Sequence, residues 1–383
     1  MRWLKIVGIG FVALLVVLVT AAGAAFVLTS PERPAEGTAS RAWLDGRDYL
    51  VGQTDVIFVD ESRPTNENRG VPGKPERTFP LTVWYPRDVE GRLPLIVHSH
   101  GILSSRTELE YAAAHLAGLG YIVAAPDYPL TSGSTEGGAN ALDVVNQPAD
   151  ISFLIDSLLA WPVDERPFTA EPDPDRIGLS GYSLGGLTSY LTTYHPRWRD
   201  PRIRATAAIA GPSTGFTTRF FGNSDAQLLS IAGTADALIE YAGNGATMLE
   251  RAPGSSLLVI NGGSHLGFAG IADPAFRFMD NPDGIACTAV LGVLDDQSSV
   301  DYSLFGETDE GVDTALASPE ICGDMPPPEA IHPGRQIMIT LIALSSFFES
   351  VFAEDPMRRQ QAWEQLSVRL PADFAETSFE TTP

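Results

Sequence analysis

A serine, an aspartate and a histidine each follow an apolar run of the sequence, in the order Ser183, Asp236 and His265. A serine hydroxyl is a weak nucleophile unless an imidazole accepts its proton, and that imidazole needs a carboxylate to fix its tautomer. These three residue types together can attack a carbonyl carbon and form a covalent acyl intermediate. If the fold brings them together, the sequence predicts Ser183 as nucleophile, Asp236 as acid and His265 as base.

The glycines on either side of Ser183 indicate a sharp turn between a strand and a helix. The stretch RIGLSGYSLGG places an apolar run before the serine and a predicted helix that begins near Leu184. Such a turn strains the serine backbone and brings neighbouring segments so close that only glycine fits. An ordinary strand-to-helix turn with a small central residue is the alternative, and this stretch alone leaves both open.

Six histidines are candidates for the base, and His265 is the best placed of them. It lies in the glycine-rich loop NGGSHLGF, directly after the apolar run SSLLVI. His115 and His195 lie within or just after predicted helices, and His332 precedes a Pro-Gly turn far along the chain. The alternative is that His265 has only a structural role, as a loop histidine whose ring is hydrogen-bonded to its neighbours.

The carboxylate predicted to hold His265 is Asp236, which follows the apolar run LLSIAG in the turn GTAD. Asp225 precedes the same run, so it would lie at the opposite end of the strand. Glu240 and Glu250 are predicted to be helical. The order serine, aspartate, histidine along the chain is the order found in hydrolases whose parallel sheet has helices on both faces.

Acyl transfer also needs two N–H groups that stabilise the oxyanion. The predicted donors are the backbone amide of Leu184 and that of Ile102, which lies in the stretch HSHGILSS. His98 and His100 in that stretch are predicted to pack and hydrogen-bond the loop, with a metal site as the alternative. Asp127, at the end of the run YIVAAPD, is predicted to be a structural acid. The predicted site uses no metal and no other cofactor.

The elements that must position these residues alternate along the chain. YLVGQTDVIFVD and RTFPLTVWYP predict two antiparallel strands at one edge. The runs that follow are continuously apolar, which is typical of strands buried on both faces. Between them lie segments whose apolar residues repeat with the period of a helix. This pattern predicts an α/β protein with a mostly parallel central sheet and helices on both faces. Ligands bind at the carboxyl ends of such strands, where the candidate residues lie.

The alternation stops after His265, over residues 266–333. This segment contains thirteen Asp or Glu and one basic residue, Arg277, so it carries about half of the net charge. We predict an acidic insertion that walls one side of the pocket, favours neutral or cationic substrates and precedes a C-terminal helix. Its cysteines, Cys287 and Cys322, are predicted to form a disulfide, since two sulfurs without clustered histidines make a poor zinc site.

The N-terminus begins with Arg2 and Lys5, followed by an uncharged apolar run from Ile6 to Leu28. Residues 1–30 are therefore predicted to be either a cleaved signal peptide or a retained membrane anchor. Both interpretations deliver the rest of the chain across the membrane, to the periplasmic or extracellular side. A retained anchor would make the membrane a partner of the protein.

The domain boundaries follow from composition. We predict a linker over residues 31–48, a catalytic domain over 49–376 and a frayed tail over 377–383. The formal net charge of −23 would repel the phosphates of nucleic acid and the surface of anionic lipid. Nucleic acid is therefore not a predicted partner.

The motifs LTVWYP, IVHSHGILSSRTELEYAAAHLAGLGYIVAAPDYP, IGLSGYSLGG, IAGTAD and NGGSHLGF resemble those of the α/β-hydrolase superfamily, from about Thr78 to Phe268. They are most similar to bacterial relatives of plasma-type platelet-activating-factor acetylhydrolase and to dienelactone-hydrolase-like serine esterases. The resemblance implies the same nucleophile, acid, base and oxyanion donors. It also implies an exported serine carboxylic-ester hydrolase, of the esterase, lipase or acetylhydrolase type, that acts on a small or lipid-like ester.

The sequence departs from two relatives within that superfamily. True dienelactone hydrolases carry a cysteine where this chain has Ser183, so their lactone chemistry is not implied. Polyester hydrolases carry an aromatic residue where this chain has Ile102, and a tryptophan where it reads AGPST. An amidase or peptidase with the same three residues, and a non-catalytic binding protein of the cell envelope, are the alternative functions.

Overall fold

The computed structural model describes residues 16–20, 23–24, 26–294, 299–316, 319–323 and 325–382. The chain divides into two units, Met1–Arg33 and Pro34–Pro383. In the first unit, residues 16–20 and 26–28 are helical and exposed. Much of the predicted signal or anchor segment lies outside the described residues, so its role stays a prediction.

The second unit is built on a nine-stranded sheet with the strand order 1-2-4-3-5-6-7-8-9. Strands β3 to β8 run parallel to one another, β2 is antiparallel to β1 and β4, and β9 is antiparallel to β8. The predicted antiparallel edge and mostly parallel sheet are confirmed. The strands are β1 Val51–Asp60, β2 Arg77–Pro86, β3 Arg92–Ser99, β4 Ile122–Pro126, β5 Glu171–Tyr182, β6 Ile203–Ile209, β7 Gln227–Gly233, β8 Ser256–Ile260 and β9 Thr377–Thr381.

Helices connect and flank these strands. They are α1 Ala39–Asp45, α2 Glu110–Gly118, α3 Gln147–Ala160, α4 Leu184–Tyr194, α5 Thr218–Phe221, α6 Tyr241–Asn244, α7 Met248–Arg251, α8 Ala272–Phe276, α9 Asp283–Leu291, α10 Pro333–Phe352, α11 Pro356–Glu364 and α12 Leu370–Asp373. Short 3-10 turns occur at Ala141–Asn146, Leu266–Phe268, Tyr302–Phe305 and Thr308–Glu310, and a π-helical turn at Gln365–Arg369.

The two faces of the sheet pack against different helices because successive side chains of a strand point to opposite sides. In β3, Ile96 belongs to the cluster formed with α2 and α10, whereas Leu95 and Val97 belong to the cluster formed with α3. All three side chains are fully buried. Helices therefore cover both faces, as the continuously apolar strands predict.

Of the described residues, only α10 forms a helix long and apolar enough to cross a bilayer. In this helix 78% of the most apolar window is buried inside the protein. Ile339, Ile342 and Phe348 are fully buried in the core beside the sheet. Packing against the sheet accounts for the apolar composition of α10.

The predicted linker, residues 31–48, is in part packed on the domain. Thr38 caps α1, and the buried Ser40 donates its backbone N–H to Asp373 Oδ2 at 3.1 Å. Trp43 and Leu44 of α1 pack against the apolar core. Residues 39–45 of the predicted linker therefore form a helix that is held on the domain by apolar packing and by the hydrogen bond of Ser40.

The predicted frayed tail, residues 377–383, is also ordered over most of its length. Thr377–Thr381 form β9, which pairs antiparallel with β8 over five residues. The free edge of β8 supplies the partner, and the β-branched and aromatic residues of TSFET suit a strand. Pro383 lies outside the described residues.

The insertion, residues 266–333, contains α8, α9 and three 3-10 turns in its described parts. Cys287 and Cys322 form a disulfide with a Cα–Cα distance of 5.8 Å, which confirms the predicted pairing. The middle of the insertion packs on the loop after β6, where Asp313 N–H donates to Gly215 O at 2.8 Å. The insertion is thus folded against the sheet and lies over its carboxyl end.

Candidate active site

The carboxyl ends of β5, β7 and β8 bring the three predicted residues together. Ser183 directly follows β5, and Asp236 and His265 lie in the loops after β7 and β8. His265 Nε2 lies 2.9 Å from Ser183 Oγ, and His265 Nδ1 lies 2.8 Å from Asp236 Oδ2. All three residues are buried, so the hydrogen-bonded chain is shielded from bulk water.

The turn at Ser183 has the geometry that its flanking glycines predict. Ser183 has φ 56° and ψ −120°, a left-handed conformation that costs energy in a residue with a side chain. A Cβ at Gly181 would lie 1.9 Å from Gly185 O, and a Cβ at Gly185 would lie 1.9 Å from Ser99 O. Neither position can therefore hold any other residue without moving the backbone.

The acid loop leaves one carboxylate oxygen free for the imidazole. Asp236 Oδ1 accepts hydrogen bonds from the backbone N–H groups of Leu238 and Ile239, at 2.9 and 2.7 Å. Oδ2 faces His265 Nδ1, and because a carboxylate can only accept, Nδ1 carries the proton. Nε2 is then the acceptor for the hydroxyl proton of Ser183.

The environment of His265 favours its charged form. Burial alone would lower the pKa of His265, and the Asp236 carboxylate at Nδ1 is the group that opposes it most strongly. Asp283 and Glu108 add to the effect of Asp236, and the pKa of His265 is raised above its ordinary value. The imidazolium that a proton transfer from Ser183 would create is therefore stabilised.

This shift predicts the pH dependence of any reaction in which His265 is the base. Only the neutral imidazole accepts a proton, so kcat/KM should rise with pH and level off above the raised pKa of His265. Below it, the rate should fall about tenfold per pH unit. A pH profile of ester cleavage measures this directly. A profile that stays flat from about pH 5 to 8 would contradict the assignment of His265.

The two predicted oxyanion donors border a cavity beside Ser183. In the described part of the chain, the backbone N–H groups of Ile102 and Leu184 have no protein acceptor. Those on either side of Ile102 are occupied: Gly101 N–H donates to Glu108, and Leu103 N–H donates to Thr131 O at 3.0 Å. Unlike the amides of its two neighbours, the Ile102 amide is therefore available to a ligand.

The two histidines after β3 hold the loop in place. His98 Nε2–H donates to Glu108 Oε1 at 3.1 Å, and its Nδ1 lies 3.2 Å from Ser180 Oγ. His100 Nδ1–H donates to Gly101 O at 2.7 Å, and its Nε2 accepts from the backbone of Tyr128. All four ring nitrogens have protein partners, which agrees with the predicted packing role rather than with metal binding.

Of the other residues singled out in the sequence, Asp127, His195 and His332 have structural contacts, and His115 is buried. Asp127 accepts from the backbone N–H of Arg106 at 2.7 Å and pairs with its guanidinium, as expected of a structural acid. Burial lowers the pKa of His115 to about 4. The ring of His195 stacks on a tryptophan at 3.9 Å. His332 Nδ1 accepts a backbone N–H and caps α10.

Three residues at the site were not predicted from the sequence. Glu108 fixes the oxyanion loop, and Tyr182 packs its ring 5.0 Å from that of His265 and donates its hydroxyl to His265 O. Asp283 is fully buried in the insertion and contacts both the acid loop and the base loop. Burial, and then the charge of Asp236, raises the pKa of Asp283 to about 6.

The cavity beside Ser183 and His265 has a volume of about 860 Å³. Among the described lining residues there is no Lys or Arg, and the acidic ones are Glu108, Glu110 and Asp301. Most of the lining is aliphatic or aromatic and comes from the oxyanion loop, α4 and the insertion. Its larger apolar members include Ile102, Leu103, Leu184, Leu187, Leu238, Ile239, Ile271, Phe276, Ile285, Val290, Leu304 and Phe305.

The insertion forms one side of this cavity, in the position that the sequence predicts. The prediction of an acidic wall is not met, because Asp301 is the one acidic residue that the insertion contributes among the described lining residues. The side chains that it turns toward the cavity, such as Ile285 and Val290, are mainly apolar. The lining therefore favours an uncharged, apolar ligand and offers no cation to an anionic one.

Comparisons with known proteins agree with this architecture. No protein-family profile matches the sequence, and no curated protein matches it. Among solved structures, a ferulic acid esterase from Streptomyces cinnamoneus superposes with a TM-score of 0.53 at 19% sequence identity. The match covers 82% of this chain and 92% of the esterase. At this identity the likeness concerns the fold, and the chain has the α/β-hydrolase fold.

Proposed function

We propose that this protein is a serine carboxylic-ester hydrolase. The observation that carries the proposal is the continuous chain of hydrogen bonds from Ser183 through His265 to Asp236, beneath an apolar cavity. The sequence resemblance to bacterial serine esterases and the fold shared with a ferulic acid esterase support ester cleavage as the reaction.

In the proposed first step, Ser183 Oγ attacks the ester carbonyl carbon while its proton moves to His265 Nε2. The carbonyl oxygen becomes an oxyanion, which the free N–H groups of Ile102 and Leu184 stabilise. Asp236 holds the resulting imidazolium through Nδ1–H. The tetrahedral intermediate collapses, the alcohol leaves with the proton from Nε2, and the acyl group stays on Ser183.

In the second step, water takes the place of the alcohol. Neutral His265 accepts a proton from water, whose oxygen attacks the acyl carbon of the acyl-enzyme. The second tetrahedral intermediate collapses, Ser183 Oγ regains the proton from His265 Nε2, and the carboxylic acid leaves. Both steps use the same oxyanion donors and return the site to its starting state.

The shape of the cavity supports an ester with a sizeable apolar part. A volume of about 860 Å³ is much larger than an acetyl group needs, and it lies within the range of sites that bind drug-sized molecules. Lipid-like esters fit such a lining because their chains are removed from water. Among the types that the sequence resemblance implies, we therefore favour an esterase or lipase over an acetylhydrolase.

Filling the cavity should change which esters are cleaved. Ala286 is half-buried and borders the cavity from α9. We expect Ala286→Phe to lower kcat/KM for nitrophenyl octanoate about 10- to 100-fold and to leave nitrophenyl acetate nearly unchanged, because the added ring occupies space that the longer chain needs. Steady-state kinetics with both esters measures the change.

Thr288→Phe is the matched control for this experiment. Thr288 lies on the same helix, is exposed and does not border the cavity. It should leave both esters unaffected. Equal losses for the acetyl and octanoyl esters in Ala286→Phe would contradict the proposed binding of a long apolar chain.

Labelling with a fluorophosphonate tests the proposed activity. The probe reacts with activated serines, so it should modify the protein once, on the peptide that contains Ser183. A matched nitrophenyl ester and nitroanilide then compare ester with amide cleavage. No labelling and no hydrolysis would indicate a binding protein, and preferential cleavage of the anilide would indicate an amidase or peptidase.

The proposal places the enzyme outside the cytoplasm. The buried disulfide supports an oxidising compartment, and the basic residues ahead of the apolar N-terminal run support export. Sequencing the N-terminus of the protein isolated from cells, together with alkaline extraction of membranes, distinguishes a cleaved signal from a retained anchor. Recovery of activity in the cytoplasm with reduced cysteines would contradict export.

A further inference from the structure

Asp283 is a buried carboxylate that the proposed reaction does not use. Its Oδ2 accepts from the backbone N–H groups of Ala237 and His265, at 3.0 and 2.8 Å. Its Oδ1 accepts from Leu266 N–H at 2.8 Å. Ala237 follows the acid Asp236 in the chain, so a single side chain ties the backbone of the acid loop to that of the base loop.

The disulfide joins Asp283 to a second segment that holds the acid loop. Cys287 lies one turn after Asp283 on α9 and is bonded to Cys322. Cys322 N–H donates to Ala237 O at 2.8 Å, so both backbone polar groups of Ala237 are bound by segments that the disulfide links. Leu238 belongs to the same buried apolar cluster as both cysteines.

Asn281 adds a contact from the same turn of the insertion. Its Nδ2 donates to Ala235 O at 3.0 Å, and its Oδ1 accepts from Asp283 N–H at 2.8 Å. The residues on both sides of Asp236 are therefore held by the insertion. The insertion thus contacts the backbone of the predicted acid and base loops, in addition to bordering the cavity.

We propose that the disulfide-linked part of the insertion, acting through Asp283, positions Asp236 and His265 for ester cleavage. Asp283 is a positioning residue, since it contacts the loops and not the reacting atoms. The proposal rests on the proposed ester hydrolysis. It assigns to the insertion a role in catalysis that is separate from its contribution to the cavity wall.

The expected effect follows from what Asp283 binds. Three N–H groups, of which that of His265 is fully buried, would lose their carboxylate, and an asparagine would turn its own NH₂ group toward one of them. The two loops would then settle in a different relative position, and a misplacement of about 1 Å can cost about 100-fold in rate. We expect Asp283→Asn to lower kcat about 10- to 100-fold with little change in KM.

Asp200→Asn is the matched control. Asp200 is also a buried carboxylate, and it accepts from Arg202 N–H at 3.0 Å and from Ser152 Oγ at 2.9 Å. Both variants should lower the melting temperature, because each leaves donors of a buried carboxylate poorly paired. Only Asp283→Asn should lower kcat when activity is measured well below both melting temperatures.

The disulfide provides an independent test of the same positioning role. Reducing the bond, or replacing both cysteines by Cys287→Ala and Cys322→Ala, should also lower kcat, because Cys322 would no longer be tied to α9. When disulfide loss and Asp283→Asn are combined, the fold-loss in kcat should be smaller than the product of the two separate losses, because both act through Ala237. This second route keeps the test decisive if Asp283→Asn fails to fold.

A readout without turnover separates this proposal from the proposed function. The NMR resonance of the proton on His265 Nδ1 reports its hydrogen bond to Asp236. It should shift or broaden in Asp283→Asn and stay unchanged in Asp200→Asn. A parent protein that neither hydrolyses esters nor reacts with fluorophosphonate overturns the function itself. If the parent is active, but kcat or the resonance is unchanged both in Asp283→Asn and after loss of the disulfide, only the positioning role is overturned.

Discussion

Ser183→Ala is expected to reduce kcat for ester hydrolysis by about a millionfold. The substitution removes Oγ, which is hydrogen-bonded to His265 Nε2 and is the proposed attacking atom. The free amides of Ile102 and Leu184 remain, so a small residual rate above that of water should persist through oxyanion stabilisation. Fluorophosphonate labelling should be lost together with turnover.

The fold should tolerate this change, which makes the comparison clean. Alanine at position 183 keeps a Cβ, so the backbone strain at φ 56° is the same, and only one hydrogen bond is lost. Ser189→Ala is the matched control, because Ser189 is a buried serine whose hydroxyl donates to Gly185 O. It should retain activity and labelling. Turnover above about 1% of the parent in Ser183→Ala would rule out Ser183 as the nucleophile.

The features at the candidate site that follow from the sequence are local ones. The close approach of Gly181 and Gly185 to other backbone is a property of the turn itself, so the pattern around Ser183 predicts it. Asp236 and His265 could be placed because apolar runs define the parallel strands, and the loops after such strands meet at one edge. Their contacts at 2.8 and 2.9 Å do not follow from the sequence, because they depend on how the three loops pack.

Asp283 could not be predicted, for a physical reason. It is one of thirteen acidic residues in an insertion that lacks strand or helix periodicity. Asp283 lies inward because the folded chain places α9, which carries the disulfide, beside the acid and base loops, whose N–H groups donate to it. Glu108 is similar, since only the folded loop brings Gly101 N–H to its side chain.

The ends of the domain show the same limit. The composition of residues 31–48 indicates a linker, but α1 docks because Trp43 and Leu44 find apolar partners on a distant part of the chain. β9 forms because β8 has a free edge, and short edge strands depend on their partner more than on their own propensity. Tertiary contacts therefore extended the domain at both ends beyond the predicted boundaries.

Asp236→Asn is expected to lower kcat about 10,000-fold, by a different mechanism from that of Ser183→Ala. An amide NH₂ facing Nδ1 would favour the tautomer with its proton on Nε2, which cannot accept the proton of Ser183. The Asp236 carboxylate also raises the pKa of His265, so in the variant the rise of the residual kcat/KM with pH should move to lower pH.

A pH profile of kcat/KM for parent and variant tests both effects together. Asp225→Asn is the control, because Asp225 is exposed at the opposite end of β7 and should influence neither the rate nor the profile. Asp283 supplies the informative contrast, since it also lies close to His265 but binds only its backbone. The opposite result would contradict the assignment of Asp236: an unchanged kcat in Asp236→Asn together with a loss of about 10,000-fold in Asp283→Asn. The acid of the site would then be Asp283, and the hydrogen bond from Nδ1 to Asp236 would not be needed for catalysis.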